Sequence, residues 1–363
     1  MKLYPIILAV LITGSFTFAS AQKNKTIIKG KVHRWPTDTI YLHTLPFHSP
    51  YSGVLKYKLI SKDSTFNFQF ENTDKPFVFF ITSQKKVVDQ QTKGLLFDNL
   101  AEEHYWSNCF KIYTYGKTTN LIEPNEKLDM DITWNGWNKT DVSFKGPNKF
   151  KHEYYQKSFD LSDKEKDALK GPSSENIEWA ISDLKNVTQS SLDELKLDKD
   201  KLGPVFYDYL KAEIEFGARK FFLQYLWSEK VNDLKEIIAT GKIPDKFVEI
   251  LAFNKYSIND ATLISEEYNE FVEEYANFLT NIANKEYKKF NPFSPKKVEI
   301  IGSKLPEKSA YYYIANQCLL IDDDASEFII NDSNVLKKLA KKIIVHFPNG
   351  ELNSKLREKY KID

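Results

Sequence analysis

The hydrophobic period of this chain changes at Gly146-Pro147-Asn148. Before that point apolar and polar residues alternate; after it apolar residues recur every three or four positions. Alternation puts side chains on the two faces of a strand, whereas a repeat near 3.6 collects them on one stripe of a helix. A single switch of this kind predicts an α+β chain. An antiparallel β-sandwich or barrel-like domain is expected over residues 22–146, with a mainly helical domain over 147–363. At 363 residues both parts are long enough to bury a core of their own.

Within the first part, the segment from Ser64 to Phe70 places Phe66, Phe68 and Phe70 on one face and Asn67 and Gln69 on the other. Segments Ile28 to Val32 and Thr39 to Leu42 flank a turn-rich stretch, Arg34 to Asp38, which reads as a hairpin connection. Lys75 to Ile81 is continuously apolar after its Pro, the pattern of a strand covered on both faces. Leu128, Met130 and Ile132 alternate with Asp129 and Asp131, and Val142 to Phe144 closes the series. In the second part, Phe206, Leu210, Ile214, Gly217 and Phe221 form one helical stripe that starts after Gly203-Pro204. Ser265-Glu266-Glu267 opens another helix, with Tyr268, Phe271, Tyr275, Phe278 and Ile282 inward. About nine helices are expected in all.

The first 21 residues carry an address. Lys2 precedes a short apolar run, and Ala19-Ser20-Ala21 supplies the small residues that a signal peptidase reads. The run is too short for a membrane span, so export with cleavage between Ala21 and Gln22 is expected, to the periplasm or beyond it. Gln22 stands where a lipid anchor would require Cys. Without residues 1–21, and so without Lys2, the 51 basic and 50 acidic residues become 50 and 50. That balance gives no basic excess for nucleic acid.

Several segments carry a family likeness. They are Lys29 to Val32, Thr39 to Leu42, Leu121 to Met130 with Pro124-Asn125-Glu126 at its turn, and Val142 to Gly146. Together with the helical region that follows, they resemble the N-terminal portion of exported thioredoxin-like thiol–disulfide oxidoreductases common in Bacteroidota. That family has Pro-Gly-Asp where this chain has Pro124-Asn125-Glu126. The resemblance implies an accessory region, because the family's thioredoxin domain with its Cys-x-x-Cys pair finds no matching position. No redox residue is therefore carried over.

The candidate sites are few. Cys109 and Cys318 are the two cysteines, 209 positions apart and in different predicted domains. A disulfide needs Cα atoms within about 7 Å, so two buried free thiols are the expected state and a disulfide or redox pair is the alternative. Trp134-Asn135-Gly136-Trp137 reads as a hairpin tip, since Asn-Gly accepts positive φ. Its two indoles offer a binding surface for a glycan or a partner protein unless they fold back onto the sheet. His33, His43 and His48 lack the spacing of a zinc site, and Asp322-Asp323-Asp324 reads as a helix start, so no metal is expected. No phosphate loop, dinucleotide fingerprint or nucleophile elbow occurs, and no cofactor is expected. The function these readings favour is non-catalytic binding or scaffolding outside the cytoplasm. The alternatives are a redox partner or regulator of a separate thioredoxin-like protein, and a carbohydrate-binding envelope protein.

Overall fold

The computed structural model describes residues 25–45, 55–60, 62–71, 73–82, 120–135, 140–157, 177–228, 230–251, 256, 258–288, 294–320 and 333–363. Residues 1–21 and Gln22, on which the expected leader and cleavage fall, and His48, Cys109, Trp137 and Asp322-Asp323-Asp324 lie outside these residues.

Eight strands come first: β1 (Lys25–His33), β2 (Thr39–Leu45), β3 (Leu55–Leu59), β4 (Thr65–Glu71), β5 (Phe77–Thr82), β6 (Asn120–Ile122), β7 (Lys127–Trp134) and β8 (Thr140–Lys145). They form two four-stranded sheets, ordered β4-β1-β7-β8 and β3-β2-β5-β6. Ile28 and Val32, Phe66 with Phe68 and Phe70, and Leu128 with Met130 and Ile132 point inward from the first sheet. There they join Ile40, Leu42, Phe77, Phe79, Ile81 and Ile122 of the second in one apolar cluster. Each of these large side chains contributes about 1.5–3 kcal/mol on burial, which makes the alternation energetically binding. The other face of the first sheet is a ladder of charges, with Lys29 3.2 Å from Asp129 and Lys145 2.6 Å from Asp131.

Two expectations are corrected here. The stretch from Arg34 to Asp38 is not a hairpin connection, because β1 and β2 lie in different sheets. Both edges of β1 are occupied, by β4 on one side and β7 on the other, so β2 has no edge to join. Nor is the pairing wholly antiparallel: β1 and β7 run parallel, with Ile28 opposite Leu128 and Gly30 opposite Met130. Alternation sets which face is apolar but carries no information on strand direction.

β5 is buried on both faces as its composition predicts. Phe77, Phe79 and Ile81 enter the cluster between the sheets, whereas Val78, with Leu121 of β6, joins the helical core. That core is built from eleven helical segments among the described residues: α1 (Lys149–Lys157), α2 (Ile177–Leu197), α3 (Lys199–Ser228), α4 (Val231–Thr240), α5 (Asp245–Leu251), α6 (Asp260–Leu263), α7 (Glu266–Asn284), α8 (Pro295–Lys304), α9 (Glu307–Leu320), α10 (Ser333–His346) and α11 (Asn353–Tyr360). The count exceeds nine because short turns such as α6, with four residues, are too brief to show a period.

α3 is the axis, packed by α1, α2, α4, α6 and α7. Its break at Gly203 (φ 73°) precedes Pro204, so the long helix restarts where the sequence places its beginning. The predicted stripe of Phe206, Leu210, Ile214, Gly217 and Phe221 is buried, but so are Tyr209, Phe216, Phe222 and Tyr225. A helix enclosed on all sides buries more than one stripe. α7 starts at Ser265, whose side chain accepts from the Tyr268 amide, as its Ser-Glu-Glu opening predicts. No helix among the described residues is long and apolar enough to cross a membrane.

Candidate functional site

One buried charged site among the described residues is the joint between the sheets and the helices. The β6–β7 turn runs Glu123-Pro124-Asn125-Glu126, with Asn125 at φ 63° and the Glu126 amide donating to the Glu123 carbonyl. Pro followed by a residue of positive φ is type II turn chemistry, and Asn is the non-glycine residue that best tolerates it. The turn aims Glu126 at the first turn of α1. There Glu126 Oε1 sits 2.8 Å from His152 Nε2 and 3.1 Å from Lys151 Nζ, while Glu126 Oε2 accepts from the Glu123 amide at 3.0 Å. Lys151 also reaches Glu123 at 2.8 Å and lies over the Phe206 ring. His152 is stacked on Phe144 and meets Phe206 edge-on.

Burial pushes the Glu126 carboxyl up. The His152 hydrogen bond and charge, the Glu123 amide and the Lys151 ammonium outweigh burial and hold it below the usual carboxylate range. Its partners Lys151 and His152 of α1 pack in turn on Phe206 of α3, and His152 also on Phe144 of β8.

A second ionic group ties α3 to α7. Lys220 pairs with Glu267 and, at 2.6 Å, with Glu270. Ser265 Oγ and the Glu267 amide both donate to Glu213 Oε1. Burial acts against both charges, driving Glu267 up to about 7, yet the two carboxylates raise Lys220 to about 12. The directions oppose each other, and the ammonium held by two carboxylates is the form that persists.

A concave surface among the described residues lies elsewhere. A cleft of about 370 Å³ opens between the start of α9 and the loop joining α10 to α11, and is lined by Glu307, Lys308, Tyr311, Tyr312, His346 and Phe347, with the Pro348–Glu351 loop as its lip. That volume falls at the small end of the ligand-pocket range, roughly 300–1,000 Å³. Tyr311 pins the loop: its hydroxyl accepts from the Leu352 amide at 2.8 Å and donates to Asn353 Oδ1 at 3.3 Å. Burial drives the Tyr311 phenol up to about 12 against the pull of those backbone contacts, so it remains a donor. Gly350 is required beneath it, because a Cβ there would lie 2.6 Å from a Tyr311 ring carbon and nearer still to the hydroxyl. Glu351 pairs with Lys75, just ahead of β5, so the cleft's lip also joins the helices to the β-domain. Lys308 is paired with Asp260.

Those residues singled out from the sequence that are described, Trp134, Cys318, His33 and His43, do not line this cleft. Trp134 ends β7, half-buried and opposite Thr140 of β8, and Asn135 beside it donates to Asp141. The strands flanking the tryptophan loop therefore do form a hairpin. Cys318 is a free thiol buried in α9, and burial pushes it up to about 12 despite the nearby Lys359 charge. The thiol is the unreactive form. Cys318 in the native protein is expected to resist alkylation and to react after denaturation, which peptide mapping by mass spectrometry would check. Fast labelling of Cys318 in the folded chain would contradict this. His43 is buried against Phe80, which pushes its imidazole down to about 4, and His33 is exposed. No three His, Cys, Asp or Glu side chains among the described residues are grouped to hold a metal ion.

Sequence reading missed both the Glu126 joint and the cleft. The Tyr311-Tyr312-Tyr313 run and the Pro348-Asn349-Gly350 turn were visible as separate signals. Their meeting depends on helix packing. No protein-family model, no curated protein and no solved structure matches this chain.

Proposed function

We propose that this chain is an exported, non-catalytic binding protein that takes a small ligand in the cleft between α9 and the α10–α11 loop. One observation carries this reading. Buried charged side chains among the described residues are spent on internal joints, while the cleft beside α9 is lined largely by aromatic rings. Glu126, Lys151 and His152 hold a turn to a helix, and Lys220 with Glu267 holds helix to helix. A general acid or base must come within hydrogen-bond reach of a substrate proton, which groups engaged with one another in the interior do not. Aromatic rings with a polar rim are instead what a binding pocket needs.

The two sheets sharing one apolar cluster support a β-sandwich for the first domain. The likeness to the accessory portion of thioredoxin-like oxidoreductases supports a place in the cell envelope, beside a redox protein encoded elsewhere. The burial of Cys318 speaks against direct use of that thiol. A screen of the full-length ¹⁵N-labelled chain against small sugars, amino acids and organic ions tests the reading. Saturable amide shifts at 307–312 and 346–351, with the ligand recovered unchanged, are expected. Absence of any shift there, or conversion of the ligand, would overturn it.

A further inference from the structure

The two sheets end in the edge strands β4, β8, β3 and β6. A strand edge presents unpaired N–H and C=O groups, so it either pairs or is blunted. β6 has three residues and packs against α1. β3 has lysine at 56 and at 58, which pairing of two copies about position 57 would set opposite each other. β4 carries one charge, Glu71, already paired with Lys25, and nothing of opposite sign to fix a register with a second copy.

β8 differs from these three. It borders β7 on one side, and no backbone hydrogen bond among the described residues reaches its other edge. Asp141, Ser143 and Lys145 are exposed on the outer face, while Val142 and Phe144 point to the apolar cluster. Across the outer face, Lys29 of β1, Asp129 of β7 and Lys145 of β8 lie side by side in one row. The row alternates positive, negative, positive, and stops at the open edge. A carboxylate would continue it.

β8 supplies that carboxylate from its own sequence. Asp141 lies four positions before Lys145 on the same face, with Ser143 midway. When β8 is paired antiparallel with itself about Ser143, each Lys145 stands opposite the Asp141 of the other copy, twice over, as two-fold symmetry requires. A slip of two residues either way sets Ser143 against one of these charges and loses both pairs, so the charges specify a single register. The same register sets Val142 opposite the other copy's Phe144. Val142 is half-buried at the end of the row it shares with Ile132, and a ring beside it would cover it. Gly146 (φ 82°) turns the chain into α1 directly afterwards, which ends the pairing at Lys145.

We propose that β8 is a self-association edge, at which a second copy of this chain adds its β8 antiparallel about Ser143 and joins the two first sheets into one. No residue of β8 lines the cleft, so ligand binding and self-association are separate properties. The paired segment is short, which makes the dimer reversible and dependent on concentration. Its charge pairs are exposed, which makes it sensitive to salt.

Sedimentation velocity of the full chain, with reductant present, tests this from about 5 µM to about 1 mM. A monomer–dimer equilibrium is expected, weakened about threefold or more between about 0.05 and 0.5 M salt. Asp141→Lys and Lys145→Asp should each weaken self-association about fivefold or more, because each sets like charges opposite in both rows. Mixing the two variants should restore the dimer, since every lysine then faces an aspartate. Circular dichroism of each variant establishes that it is folded, and isotope-filtered contacts from Val142 of one copy to Phe144 of the other report the register. A chain that stays monomeric throughout would overturn the proposal. So would a dimer unmoved by either variant, or a mixture that associates no more tightly than its components.

Discussion

Gly30→Ala is expected to unfold the β-domain. Gly30 sits in the middle of β1, directly opposite Met130 of the parallel neighbour β7. A Cβ at Gly30 would lie 2.7 Å from the Met130 carbonyl carbon and closer still to its oxygen. The obstacle is backbone, so no side-chain rotation relieves it. Either β1 and β7 separate or the register slips, and a one-residue slip would turn Ile28 and Val32 out of the apolar cluster. Losses above about 4–5 kcal/mol are rare and come from mechanisms of this type, and total domain stability is only about 5–15 kcal/mol. The check is urea unfolding followed by far-ultraviolet circular dichroism. Lys29→Ala serves as the control, because Lys29 points outward and loses only a surface pair with Asp129, about 0–1 kcal/mol. A Gly30→Ala chain that melts like the control would show that β1 and β7 do not approach as described.

The second large effect is expected at Glu126. Glu126→Ala leaves Lys151 and His152 buried without their shared acceptor and frees the Glu123 amide. Breaking a buried ionic contact in this way costs about 3–5 kcal/mol. A pH signature separates this from a loss of packing alone. Glu126 titrates below the usual carboxylate range in the folded chain, so folding favours its ionised form. The stability this contributes is complete above the unfolded glutamate value, about 4.3, and is lost as pH falls through the lower folded value. The gap in stability between the native chain and Glu126→Gln should therefore be wide at pH 7 and narrow below about pH 4. Denaturant midpoints measured across that range provide the check. A gap of constant width would show that the carboxylate charge contributes nothing to the joint.

The carboxylate at 126 also shows how much of the site could be read in advance. Pro124-Asn125-Glu126 was legible as a turn, and the left-handed φ of Asn125 follows from local chemistry that the sequence displays. The meeting of Glu126 with His152, 26 positions later, was not legible. A glutamate after a turn reads as solvated unless a partner is known to be folded over it. The cleft presents the same case at longer range, with Tyr311 meeting a loop about 40 positions downstream through its hydroxyl contact with Leu352.

What the sequence determined by itself was the type of each long element and the face it buries. Phe66, Phe68 and Phe70 had to share one side of a strand, and Phe206, Leu210, Ile214 and Phe221 one side of a helix, because backbone geometry fixes side-chain direction over a few residues. Gly203-Pro204 and Ser265 marked helix starts for equally local reasons, a positive φ and an orphan amide. Only the tertiary structure decided which strands became neighbours, that β1 lies parallel to β7, and that Glu126 and the cleft rings find their partners. Those outcomes depend on which distant surfaces bury the most apolar area while pairing every charge they enclose, and that comparison is made over the whole chain at once.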